Sequence, residues 1–165
     1  MSAMATWLHA GLVAPKRLRR LVRLPSYRRQ LVIEALFALM AARALMLLRR
    51  FEHVAGRLGR PISAGTEDCI VPIGPEAEQV AKDISWAIRW VARIVPFRSV
   101  CLQQAVAARI MLRRRKIQST LYFGVLRTTE NGTVGLKAHA WLRAGLVEVT
   151  GYDLASEYRE IARYE

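Results

Sequence analysis

The sequence predicts an α+β domain, with helices first and an antiparallel sheet after them. Three observations carry that expectation. A long run from Pro25-Ser26 to about Leu58 is built from Leu, Ala, Met, Arg and Glu, all good helix formers. Two shorter helical segments follow it. After Lys116 the apolar spacing then changes from helical to alternating. At 165 residues the chain is long enough for one domain with a hydrophobic core. With 53% hydrophobic residues it is not globally disordered. The division read from composition is a basic arm over 1–24 and a single domain over 25–165.

The first helix is expected to stop at Gly59-Arg60-Pro61, because Gly caps helices and Pro cannot continue them. Residues 61–74 hold Pro61, Gly65, Pro72 and Gly74 and read as a loop. Pro75 suits the first turn of a second helix, with Glu76 and Glu78 favourable near its start and Pro96 ending it after Val95. Trp86 and Trp90 are four apart and share a face, for which core packing is the expected use. Ser99 is placed to cap a third helix from Val100, with Leu102, Val106 and Ile110 at helical spacing. Beyond it, Ile117–Val125 alternates as a strand, Asn131-Gly132 marks a turn, and Leu136–Arg143 and Leu146–Thr150 are two further strands joined at Ala144-Gly145.

A formal net charge of +13 concerns partners more than fold. It suits nucleic acid, an anionic membrane face or an acidic peptide. The basic residues gather in the arm (Lys16 to Arg29) and in Arg113-Arg114-Arg115-Lys116. No nucleic-acid motif accompanies them and the aromatics do not interleave with them, so no specific nucleic-acid partner is expected. The run Leu31–Leu48 reaches the length of a short membrane span, yet holds Glu34 and Arg43. A buried or interfacial helix is the expectation, with peripheral contact at the inner membrane face as a second one.

The N-terminus lacks the charge-then-apolar order of a signal peptide. Cys69 and Cys101 could pair in one disulfide, but two cysteines do not make a secreted scaffold, and a cytoplasmic setting is expected. No CxxC exists, and His9, His53 and His139 are scattered, so neither a zinc site nor any cofactor is expected.

Cys101 falls in the first turn of the third helix, where unsatisfied amide N–H groups carry partial positive charge. That position favours thiolate, the form that attacks a carbonyl. His139 lies on the strand LKAHAWLR, with Ala138 and Ala140 directed to the opposite face and Trp141 to its own. Taken alone, each is more often structural. Together, a nucleophile on a helix start and a base on a strand packed against it give the Cys-His geometry of papain-like enzymes. The acid that would orient the imidazole is either Asp153 or Glu148, with Asp153 preferred.

The segments SVCLQQAVAARIMLRRRKIQSTLYFGV and AHAWLRAGLVEVTGYD, with RRLVRLPSYRRQLVIEALFALMAARALMLL ahead of them, resemble the B-type leader peptidases of lasso-peptide biosynthesis. The resemblance covers about residues 20–165. It implies a transglutaminase-like fold and a cysteine peptidase that cuts the leader from a ribosomally made precursor, so that a partner cyclase can close a macrolactam ring. It assigns the nucleophile to Cys101 and the base to His139. The family's Asp stands about a dozen residues after the His, where this chain has Thr150-Gly151, so Asp153 fits with a shift of two or three residues. It also implies a split form that relies on a separate leader-recognition protein.

Overall fold

The computed structural model describes residues 23–48, 61–63, 70–95, 97, 99–130 and 133–165. Three helices come first: α1 (Ser26–Leu48), α2 (Pro75–Ala92) and α3 (Cys101–Arg114). Between α1 and α2 lies a short strand, β1 (Pro61–Ser63). After α3 come β2 (Thr120–Glu130), β3 (Thr133–Ala144), β4 (Val147–Thr150), a 3-10 helix (Tyr152–Glu157) and β5 (Arg159–Tyr164). The strands form one sheet in the order β1-β5-β2-β3-β4, with every described pairing antiparallel. This is the expected α+β layout.

Helix α1 buries Leu31, Val32, Ala35, Ala38, Leu39 and Ala42 against α2 and α3, at the spacing of one helix face. Its apolar run carries Glu34 because Glu34 has a partner. The two guanidinium nitrogens of Arg115 reach its two carboxylate oxygens at 3.0 and 2.6 Å, and Arg114 lies 3.4 Å away. The bond to Glu34 holds the Arg115 guanidinium above its ordinary value. By length and composition α1 could cross a membrane, with a third of that window buried inside the protein. The expected continuation of this helix to Leu58 lies outside the described residues, as do Cys69, His9, His53 and nearly all of the basic arm.

Helix α2 starts at Pro75 with Glu76 and Glu78 in its first turn, as expected. Trp86 and Trp90 pack partly buried against the core, and Arg28 lies 4.9 Å over the Trp86 ring. The Ser85 hydroxyl donates to the Val149 carbonyl at 2.6 Å and ties α2 to β4.

Helix α3 departs from the expected cap. It begins at Cys101, one residue too late for Ser99 to cap it, and Val100 holds the cap position without a side-chain bond. The Ser99 hydroxyl is buried without a partner, and its carbonyl instead accepts from Gln104 Nε2 at 2.9 Å. The other end closes as a Schellman turn: Ile117 N–H donates to Leu112 O and Lys116 N–H to Arg113 O, both at 3.0 Å. Lys116 takes the left-handed conformation there, with φ 57°. Ile117 closes that turn, so β2 starts at Thr120 rather than at Ile117.

Strand β3 is longer than expected and β4 begins one residue later, across a turn at Gly145-Leu146. The Asn131-Gly132 turn lies outside the described residues, but Glu130 pairs with Thr133 on either side of it. Leu121, Ala140, Leu142, Ala144, Val147 and Val149 join the helices in the core. On the opposite face Tyr122 stacks on Trp141 at 5.7 Å, and the Arg143 and Arg163 guanidinium groups lie over the Tyr122 ring.

Candidate active site

Cys101 is the first residue of α3, half-buried, with a free thiol. The amides of a first helical turn have no partner within the helix, so they point at whatever lies beside the sulfur. Packing of α3 on β3 and β4 brings that helix start against the sheet. His139 lies on β3, buried, opposite Gly124 of β2. Trp141 stands beside it as expected, with ring centres 6.0 Å apart, while Ala140 joins the core on the other face.

Gly124 leaves space that the imidazole's neighbours use. A Cβ there would lie 2.8 Å from the Trp141 ring and 2.9 Å from Tyr158 Cβ. Tyr158, just after the 3-10 helix, sets its ring 4.9 Å from that of His139. The imidazole therefore has both the Trp141 and the Tyr158 ring as neighbours.

Cys101 and His139 line one cavity of about 230 Å³, together with Arg89, Glu148, Gly151 and Asp153. The sequence-derived residues are thus all gathered at one site. Within it, His139 Nε2 lies 2.6 Å from the Gly151 carbonyl oxygen. A carbonyl can only accept, so Nε2 carries the proton and donates it. Nδ1 of the neutral ring then keeps its lone pair, which is what a base needs. No hydrogen bond joins His139 to Asp153 or Glu148, and none yet joins it to Cys101. Asp153 lies exposed in the first turn of the 3-10 helix, two residues beyond the carbonyl. Glu148 is exposed on β4 and pairs in register with Arg143.

Gly151 is the residue that a search for a carboxylate passes over. Its φ is 76°, and a Cβ would sit 2.4 Å from the Ala140 carbonyl oxygen and 3.1 Å from Trp141 Cα and Cβ. Only glycine fits that conformation and that space. The signal in the sequence was its place, twelve residues after His139, in the register where the resembling family carries its acid. Among the described residues, no three His, Cys, Asp or Glu side chains gather as a metal site.

Neither a curated protein nor a solved structure gives a match to the chain. The family model for the transglutaminase-like superfamily matches residues 38–163, from within α1 to within β5. That span holds Cys101, His139, strands β1 to β4 and all of β5 but its last residue. Most of its length being covered, the chain belongs to the transglutaminase-like superfamily, which includes cysteine peptidases.

Proposed function

We propose that the protein is a cysteine peptidase that removes the leader from a ribosomally made lasso-peptide precursor before a partner cyclase closes the ring. One observation carries the catalytic part: Cys101 and His139 line a common cavity while His139 Nε2 is engaged by the Gly151 carbonyl. In this reading Nδ1 takes the Cys101 thiol proton and the thiolate attacks the scissile carbonyl. The oxyanion is met by amide N–H groups of the first turn of α3. The imidazolium returns its proton to the leaving amine, leaving a thioester. Water, deprotonated by the same imidazole, then releases the acid and restores the thiol. Asp153, at the rim of the cavity, adds negative charge near the imidazolium.

The lasso-peptide part rests on the likeness of the Cys-Leu helix start, the basic helix end and His-Ala-Trp to that peptidase family. Its test is a candidate precursor incubated with the chain. Products at the mass of free leader and free core support it; a cross-linked product, or an intact precursor, overturns it. Transfer to an amine would use the same Cys-His pair, and product mass separates the two.

The setting proposed is cytoplasmic, with peripheral contact to an anionic membrane face. Phe37 and Leu47 lie about 70% exposed on α1, and the net charge is +13. The check is co-sedimentation with anionic and with neutral vesicles; equal retention on both would rule out the charge-driven contact.

A further inference from the structure

The far end of α3 forms a second cavity, of about 470 Å³. Four cationic side chains line it: Arg109, Arg113 and Lys116 from the helix and its closing turn, and Arg143 from β3. Among the described lining residues Glu165 is the one carboxylate. Arg109 is 95% buried by its 5% exposure, an unusual place for a guanidinium. One terminal nitrogen donates to the Tyr164 carbonyl at 2.7 Å, but its Nε is buried with no partner. The hydroxyl of Ser119, another lining residue, is also buried with no partner. Burial pulls the Arg109 guanidinium down to about 10, Arg113 pulls the same way, and Glu165 opposes them. The site therefore holds one buried guanidinium and, in Arg109 Nε and the Ser119 hydroxyl, two buried polar groups without a partner among the described residues.

We propose that this cavity is a carboxylate-binding subsite for an acidic side chain of the peptide substrate. The proposal deepens the peptidase reading and rests on it. Glu165 in the lining would repel the second charge of a phosphate, so a single carboxylate is the ligand chosen and phosphate is the competitor tested below. Ile70, Val71 and Ile117 supply apolar wall, which suits a peptide side chain, and among the described lining residues no aromatic ring is present to stack a base. The helix also sets the distance. Arg113 follows Cys101 by twelve residues on one rigid element, about 18 Å at ~1.5 Å per residue. An extended peptide covers that in about five or six residues. The acidic residue is expected about that far from the cut.

The experiment measures binding without turnover. Full-length Cys101→Ala protein is titrated into a fluorescein-labelled hexapeptide, Gly-Leu-Glu-Glu-Leu-Gly, and into its Gln-Gln counterpart, by fluorescence anisotropy at physiological salt. The Glu peptide is expected to bind at least tenfold more tightly. The double variant Arg113→Gln/Lys116→Gln changes two exposed side chains and should lose that preference with an unchanged melting temperature. Arg23→Gln/Arg29→Gln removes the same charge elsewhere and should keep it. Equal binding of the two peptides overturns the proposal. So does a preference that survives in the first variant or falls equally in the second, or displacement by inorganic phosphate at lower concentration than by unlabelled Glu peptide. Iodoacetamide labelling of wild-type Cys101 is read separately, so failure of the subsite and failure of the peptidase reading remain distinct.

Discussion

Replacing Gly151 by alanine puts a methyl group where the fold has none. The left-handed φ of 76° costs an alanine about 1 kcal/mol over glycine. The methyl would also meet the Ala140 carbonyl oxygen at 2.4 Å. That atom belongs to the β3 backbone next to His139, so relief requires the loop or the strand to move. Overpacking of this kind costs roughly 1–3 kcal/mol. Together the two come to about 3 kcal/mol, a fall in melting temperature of roughly 6–12 °C for a chain of this size. Any movement also lengthens the 2.6 Å bond at His139 Nε2. A histidine that loses its orienting partner drops kcat by up to ~10⁴-fold, so a loss of about 10²–10³-fold is expected. The assay pairs thermal unfolding with cleavage of the precursor. Leu39→Ala, fully buried in α1, serves as the control, because it should destabilise by a similar ~2–5 kcal/mol without lining the cavity. Its cleavage rate below the melting transition should stay near wild type. If Gly151→Ala melts lower but cleaves at the wild-type rate, the carbonyl does not position the imidazole and the reasoning fails.

Four further outcomes are expected. Cys101→Ala should abolish cleavage while Cys69→Ala retains it, and iodoacetamide should label Cys101 first at neutral pH; cleavage by Cys101→Ala would end the peptidase reading. Asp153→Asn should lose about tenfold in kcat and Glu148→Gln less, since the tautomer is held by a backbone group and only the acid's charge is removed; the opposite ranking, measured on the same precursor, would move that role to Glu148. Arg115→Gln should destabilise by about 2 kcal/mol, or roughly 4–8 °C in a thermal melt, because it breaks a half-buried bidentate pair, whereas Arg113→Gln should change little; equal melting temperatures would refute the role given to Glu34. A separate leader-binding protein should accelerate cleavage, more at low salt than at high, since exposed charges are screened beyond about 8 Å at physiological ionic strength; one rate with or without it would show that the chain selects its leader alone.

The layout was legible wherever local chemistry decides structure. Pro75 with Glu76 and Glu78 wrote the start of α2 openly, and the alternation around Leu121 and Tyr122 announced β2. That Cys101 and His139 would line one cavity was legible because a helix start and a mid-strand histidine are both local features. What could not be read depended on distant neighbours. Strand β5 is marked by pairing with β1 and β2, not by a strong pattern of its own. Arg113, Arg114 and Arg115 looked like one basic face, yet two of them reach Glu34, about eighty positions earlier. Ser99 looked like a cap, and only the packing of α3 shows the helix starting one residue beyond its reach. Gly151 was visible as a glycine in the acid's register. Its carbonyl was not, because sequence names side chains and leaves backbone acceptors unwritten.

A carbonyl in that position has a genetic consequence. Every side chain in a catalytic centre can be deleted by a codon change, and alanine scanning finds it that way. The Gly151 oxygen is carried by all twenty amino acids, so no substitution removes it; substitutions act only by displacing it. Selection at this codon would therefore protect a shape rather than a functional group. Templates that search proteins for Cys, His and Asp side chains would score the centre as a dyad. A template that asks instead which oxygen lies at Nε2 would also collect chains in which a backbone carbonyl stands beside the imidazole.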